Sequence, residues 1–368
     1  MSVYRVREDG TDEWLGELHL LEAGRHWFVT VKGTETLFEG LPPFVADMSP
    51  QGYIGRTFSA RCPELELPLH LWEWNDDHCL VALARRGEDC VGDLILGKES
   101  FDRWRWNSVV PVCPSDYPEL VQRAAHGHSV PLAGGEQPKF LAFSEGRHVL
   151  VKFAGDDGAA GQRWRDLLLC EALALEAVRA AGLEAAVARC FDEGAHRFLE
   201  VERFDRIGER GRRGLLSLGA IDNEYVGDGG PWRRLAPKLQ QSGRLSEEDA
   251  RRVRWLDVFG QLIGNTDRHL GNLSFFAEPD DESLRLAPLY DMLPMVFAPS
   301  GTTVIERRFE PDPPTAETLD VWPDAARHAQ AYWERLADCA ELTEDFRARV
   351  KQCRDTLAAL LARFRSGA

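Results

Sequence analysis

Two periodicities divide this chain. Through the first 125 residues apolar positions come in short strand-like runs. Trp27-Phe28-Val29-Thr30-Val31, Cys79-Leu80-Val81-Ala82-Leu83 and Val91-Gly92-Asp93-Leu94-Ile95-Leu96-Gly97 are the clearest, with Pro and Gly breaks at Leu41-Pro42-Pro43 and Ser49-Pro50-Gln51-Gly52. A mixed α+β segment is expected there. Runs at 139–143 and 148–153, joined by Ser144-Glu145-Gly146-Arg147, predict a hairpin. From 164 to 181 the period is helical, with Leu168, Ala172, Leu175 and Val178 on one face and Gly182 as a stop. Residues 197–206 read as a strand leaving into a polar, Arg- and Gly-rich stretch, and the irregular 208–230 region reads as a functional loop or a mobile segment. Ser246 is an N-cap signal for a helix with Ala250, Val253, Leu256, Gly260 and Ile263 on its buried face, ended by Gly264-Asn265. A second hairpin is expected over 273–289. Residues 320–365 read as helical, with Trp333, Leu336, Val350 and Leu357 at core spacing.

Polar residues in these apolar patterns point to chemistry. Asp267 and Asn272 are five residues apart, just past the end of a core helix, and Asp291 follows the second hairpin. That order places a proton acceptor and two oxygen ligands for a cation at one cleft. Lys152 interrupts an apolar strand, where an ammonium needs an anionic partner. Glu171, close to the apolar face of the next helix, is the expected partner. Gly134-Gly135 precede the hairpin, and a loop without side chains lets backbone N–H groups reach phosphate oxygens; Lys139 adds a cationic contact. His269 reads as a loop-orienting residue or a donor to a carbonyl.

Composition narrows the partners. Hydrophobic residues make up 44% and charged residues 28%, which suits a globular protein and excludes collagenous or disordered chains. A net charge of -16 argues against broad binding to nucleic acid or an anionic membrane. Arg233-Arg234 and the Arg-rich 206–213 segment are the candidate basic patches and read as solvated loops. Trp72, Trp74, Trp104 and Trp106 read as packing residues, since their region is not basic. Eight cysteines without a CxxC spacing suit reduced thiols and no zinc site. No apolar run of spanning length occurs and the first ten residues have no signal-peptide core, so a cytoplasmic location is expected.

Four stretches resemble the HipA family of bacterial serine/threonine protein kinases, the toxin halves of toxin–antitoxin pairs. They are Gly134-Gly135-Glu136-Gln137-Pro138-Lys139, Val201-Glu202-Arg203-Phe204-Asp205-Arg206, Leu262-Ile263-Gly264-Asn265-Thr266-Asp267-Arg268-His269 with Asn272, and Pro288-Leu289-Tyr290-Asp291. Gly227-Asp228-Gly229-Gly230-Pro231 matches too, and the first stretch looks closest to the YjjJ-like branch. The resemblance implies an α+β, two-lobed kinase-like fold: a subdomain over 1–125, an N-lobe over 126–205 and a helical C-lobe over 206–368. It implies ATP and Mg²⁺ as cofactors. Gly134, Gly135, Gln137, Lys139 and Lys152 would meet the nucleotide, with Glu171 holding Lys152 and the backbones of Glu202 and Phe204 at the adenine. Asp267 would be the catalytic base, with His269 in the same catalytic loop, and Asn272 and Asp291 the metal ligands. A protein substrate and a small helix-turn-helix antitoxin are the implied partners. Two departures matter. The family's regulatory Ser before the Gly loop falls on Leu132, the nearest Ser being Ser129, and the branch's N-terminal helix-turn-helix has no counterpart, so direct DNA binding is not expected. Asp-Arg-His before Asn also resembles phosphoinositide kinase loops, which leaves a small-molecule kinase and a non-catalytic nucleotide-binding regulator as alternatives.

Overall fold

The computed structural model describes residues 1–50, 52–126, 137–277 and 283–365. The chain forms two compact units: Met1–Pro131 with Lys139–Leu150 and Glu202–Leu216, and Leu132–Pro138 with Val151–Val201 and Ser217–Ala368.

The first unit begins with an antiparallel meander of β1 (Ser2–Val6), β2 (Asp12–Leu20), β3 (Arg25–Thr30) and β4 (Glu35–Glu39). Gly16 is required where β2 pairs with β3, since a Cβ there would lie 2.0 Å from the Val29 carbonyl oxygen. Helices α1 (Pro43–Ala46), α2 (Gly52–Arg61) and α3 (Asp76–Arg86) follow. Val3, Leu18, Val45, Leu80, Leu83 and Leu96 close one core.

The run 79–83 is therefore helical, not a strand. Asn75 caps α3 by accepting from the His78 N–H at 3.0 Å, Asp76 and Asp77 sit in the first turn, and Arg85 and Arg86 in the last. A cap and both charged ends outweigh five apolar residues that fit either period. Trp72 and Trp106 are exposed rather than packed.

β5 (Leu94–Leu96) joins β1 at the edge of the meander sheet, and α4 (Lys98–Trp106) follows. Next come β6 (Pro111–Val112), α5 (Tyr117–His126), β7 (Lys139–Ser144) and β8 (Arg147–Ala154). The turn between β7 and β8 puts Glu145 at φ 51° and Gly146 at φ 79°, the left-handed pair that a tight hairpin needs.

From Val151 onward β8 belongs to the second unit. There α6 (Gly158–Ala180) buries Leu168, Ala172, Leu175 and Val178 as expected. β9 (Ala188–Glu193) and β10 (His196–Glu202) pair antiparallel. Residues 208–230 are more ordered than their sequence suggests. β11 (Arg206–Ile207) pairs with β12 (Gly211–Arg212) in the first unit, β13 (Leu215–Ser217) follows, and α7 (Leu218–Tyr225) is capped by Ser217.

α8 (Trp232–Gln241) and α9 (Glu247–Leu262) precede the β14 (Ser274–Ala277) and β15 (Leu284–Leu286) hairpin. α10 (Trp322–Ala337) and α11 (Glu344–Arg365) close the chain. Trp333 and Tyr332 of α10 are buried and polar-anchored, Trp333 Nε1 donating to the Leu262 carbonyl at 3.0 Å and Tyr332 to that of Cys170 at 3.3 Å.

The 206–213 segment is not a solvated loop. In the first unit Asp205 is buried between Arg203 and Arg206, accepting at 3.0 and 2.7 Å, while a second oxygen anion, Asp89, accepts from Arg203 at 2.7 Å. Arg206 and Arg212 are both buried. The cysteines among the described residues are free thiols, and no described helix is long and apolar enough to cross a membrane.

Candidate active site

Lys152 extends from the half of β8 that lies in the second unit, and its ammonium is buried. Its Nζ donates at 2.7 Å to both carboxylate oxygens of Glu171 on α6, and at 2.5 Å to Asp291 Oδ1. Burial alone would lower the Lys152 pKa; the charges of Asp291 and Glu171 overcome it and hold the ammonium above its ordinary range. The lysine is thus a permanent cation held at three oxygens, which positions it to meet a further anion without having to be ordered first.

The loop bearing Asp267 is built from the end of α9. Gly264 takes φ 75°, a conformation that closes the helix and would strain any other residue. Asn265, 1% exposed, accepts from the Asp267 N–H at 2.9 Å. Arg268 turns back to Asp257 of α9, donating at 2.9 Å, and also donates to the Asn265 carbonyl. Arg233 on α8 donates to the other Asp257 oxygen at 3.0 Å. This buried carboxylate clamps the loop between two helices. The Asp267 side chain itself is exposed at the tip.

Asn272 is buried and donates Nδ2 to the Asp267 carbonyl at 2.9 Å. Its NH₂ end is committed inside the loop, which leaves Oδ1 as the end that could meet a cation. His269 turns its ring onto the loop itself: Nδ1 accepts from the Gly271 N–H at 3.1 Å, and its carbonyl accepts from Trp232 Nε1 at 3.1 Å. Asp291 has φ 53°, a left-handed backbone uncommon for aspartate. Its neighbour Tyr290 supports that geometry, donating to the Gly271 carbonyl at 2.7 Å with the Ser274 hydroxyl 2.7 Å away. The β14–β15 pairing of Phe275 with Leu286 thereby carries Asp291 back to the Asn272 loop.

Among the described residues no group of three His, Cys, Asp or Glu could hold a metal ion. Asn272 and Asp291, whose neighbours Gly271 and Tyr290 are in contact, instead offer two hard oxygen donors of the kind that could suit Mg²⁺, an ion that binds through one or two side chains and completes its shell with water and substrate phosphates. They would hold such an ion through Oδ1 and the carboxylate.

Of the other expected residues, Gln137 is buried and its Nε2 donates to the Phe153 carbonyl beside Lys152, with Oε1 unpartnered. Gly134 and Gly135 lie outside the described residues, as do Ser129 and Leu132. Lys139, Glu202 and Phe204 fall in the first unit, Glu202 in an ion pair with Arg147 at 3.4 Å. Sequence reasoning missed Asp257, Asn265 and Tyr290. A signal for Asp257 existed: it is a carboxylate within the apolar pattern of α9, the kind of position that demanded a partner for Lys152. Asp222 was missed too, and its buried carboxylate gathers the backbone N–H groups of Asp228 at 3.1 Å and Gly229 at 2.7 Å.

Comparison with known proteins places these elements in context. A model of the HipA-like C-terminal domain matches residues 132–361, and one of the middle domain of YjjJ-like toxins matches residues 1–105. Toxin YjjJ of Escherichia coli strain K12 is 32% identical, the match covering 94% of this chain and 81% of that protein. Putative kinase Y4mE of Sinorhizobium fredii is 27% identical over 43% of this chain and 40% of its own. Among solved structures, Shewanella oneidensis MR-1 HipA, from a complex with HipB and operator DNA, superposes with a TM-score of 0.64 at 18% identity, covering 99% of this chain and 97% of that one. The fold is accordingly HipA-like, an α+β kinase-like architecture.

Proposed function

This chain belongs to the HipA-like toxin family, and from that premise we propose that it is an ATP- and Mg²⁺-dependent kinase that transfers the γ-phosphoryl group to a serine or threonine hydroxyl of a protein. The observation that carries the reading is the Lys152–Glu171–Asp291 contact. A buried ammonium fixed by one carboxylate and shared with a second, solvent-accessible one is the device a nucleotide phosphate needs.

Bound ATP and Mg²⁺ would supply the transferable group and the charge that neutralises it. The chain's own residues do the rest. Glu171 keeps Lys152 oriented, and Lys152 would meet the phosphate oxygens in place of Asp291. Asp291 and Asn272 Oδ1 would then hold the cation. Asp267 accepts the proton of the attacking hydroxyl, and the Arg268–Asp257–Arg233 clamp keeps its loop in place. Gln137, which donates to the Phe153 carbonyl beside Lys152 in the same unit, is a further proposed nucleotide contact. His269 shapes the catalytic loop through its backbone contacts.

The toxin name of the E. coli relative and the kinase name of the Sinorhizobium relative agree with this reading. The Shewanella HipA was solved with HipB and operator DNA; by analogy a small helix-turn-helix antitoxin is the proposed partner here, and growth inhibition in the cytoplasm the proposed outcome. The test is phosphotransfer from labelled ATP to proteins of a whole-cell lysate by purified wild type and by Asp267→Ala and Asp291→Ala. Labelled protein with wild type and none with either variant is expected. Equal labelling by all three would overturn the residue assignment, and ATP binding without transfer would favour a non-catalytic regulator.

A further inference from the structure

The first unit contains a cavity of about 310 Å³ that none of the residues assigned above to the nucleotide, the cation or proton transfer lines. Its wall joins four guanidinium groups, those of Arg103, Arg206, Arg210 and Arg212, to an apolar side that includes Trp104, Val110, Leu120 and Phe143.

Two of these arginines have both terminal nitrogens engaged. Arg206 donates to Asp205 at 2.7 Å, to the Gly92 carbonyl at 3.0 Å and to Asp89 at 3.2 Å. Arg210 donates to the carbonyls of Trp104, Arg105 and Asn107 at 2.8 to 3.1 Å. The other two each keep a buried nitrogen without a partner. Arg212 is 3% exposed; its Nη2 donates to the Glu88 carbonyl, but Nη1 is buried without a partner. Nε of Arg103 is likewise buried and unpartnered, while its Nη2 is held by Glu99 at 3.0 Å. A buried donor left unmatched costs the full desolvation of that group.

The acids on the wall do not answer these donors. Asp89 is engaged by Arg203 and Arg206. Glu209 presents its carbonyl to His148 at 2.9 Å. Glu88 Oε2 is itself buried and unpartnered, and burial raises its pKa, which weakens its hold as an anion. The Arg212 guanidinium is pushed down to about 9 by burial and by neighbouring Arg206, and remains charged at neutral pH. The cavity thus holds more fixed positive charge than its acids offset, beside an apolar wall.

We infer that this cavity is a second ligand site, for a small organic anion whose carboxylate or phosphate group is taken by Arg212 Nη1 and Arg103 Nε and whose apolar body lies against Trp104, Val110 and Leu120. A cavity of this size suits a one-ring ligand, and a charged head with an apolar body matches what lines it. A head group that accepts two charge-assisted hydrogen bonds satisfies both orphaned donors at once.

The test uses the full chain and three probes: 4-bromobenzoate, 4-bromophenyl phosphate and neutral 4-bromobenzyl alcohol. In calorimetric titrations at least one of the acids should bind at one site per chain, at least about tenfold more tightly than the alcohol, the scale of a lost charge-assisted bond. Whichever acid binds better identifies the head group. In soaked crystals the bromine anomalous signal should fall between Trp104 and Val110. Arg212→Met should weaken binding by about tenfold or more. Val110→Trp, at an exposed position where folding is not at stake, should do so by filling the cavity. ATP binding should be unchanged in both variants, which separates this site from the proposed kinase site. Equal binding of the alcohol, bromine elsewhere, wild-type affinity in Val110→Trp, or no binding of either acid would overturn the inference. In the last case the orphaned donors are met by ordered water only.

Discussion

Lys152 and Glu171 meet at two points, Nζ lying 2.7 Å from each carboxylate oxygen, with both side chains buried. Removing Glu171 leaves the buried ammonium of Lys152 with Asp291 alone, which is costlier than the pair itself is stabilising. Glu171→Ala should lower unfolding free energy by about 3 kcal/mol, read from the urea midpoint, and reduce phosphotransfer by about a hundredfold or more. An unchanged midpoint would contradict the buried-pair description.

Asp291 shares that ammonium and is also a proposed cation ligand. Asp291→Asn keeps an oxygen but loses the charge. Transfer rates should fall by about 10²-fold or more, with the Mg²⁺ concentration needed for half-maximal activity rising, because the ion loses its anionic ligand. Lys152→Met should instead weaken ATP binding with little change in the Mg²⁺ requirement. The two variants therefore separate along different axes.

Asp257 acts through Arg268 and Arg233 and contacts no reacting group. Asp257→Asn should lower kcat by about tenfold while leaving KM for ATP near the wild-type value, since it loosens the loop that carries Asp267 and not the nucleotide contacts. A matched rise in KM would assign Asp257 to binding instead.

In the first unit burial would raise the Asp205 pKa, but the Arg203 and Arg206 guanidinium groups outweigh it and hold the carboxyl well below the usual range. A depressed native pKa means that the unfolded chain takes up a proton first as pH falls. The stabilisation is complete above an unfolded pKa of about 3.9 and is lost below it, down to the native value. Asp205→Asn should be destabilised at pH 7 by about 3 kcal/mol, and the gap to wild type should narrow as urea midpoints are taken from pH 5 towards pH 3. A constant gap would mean that Asp205 does not titrate as described.

Local order was legible wherever adjacent residues decide it. The 139–153 hairpin, the helix carrying Glu171 and the Ser246-capped helix ending at Gly264 follow from periodicity, turn glycines and caps, all short-range effects. So does the Asp267–Asn272 spacing, because five residues of loop are set by the helix end they leave. The polar interruption at Lys152 likewise announced a buried partner, and the partner proved to be Glu171 with Asp291.

Tertiary structure decided what composition and period leave degenerate. Residues 79–83 fit a strand or a helix, and packing of Leu80 and Leu83 with Asn75 at the cap settled it. Asp257 sits 11 residues from Arg268 in the chain but 2.9 Å from it in space, a relation that no local rule encodes. The arginines at 206 and 212 read as solvated because arginine usually is; only folding shows them buried, since the cost of burying a cation is met by groups as distant as Asp89 and the Glu88 carbonyl. The Asp267 loop is therefore written in the sequence as a spacing, and the clamp that makes it rigid exists only in three dimensions, where buried charges must find their counterions regardless of chain distance.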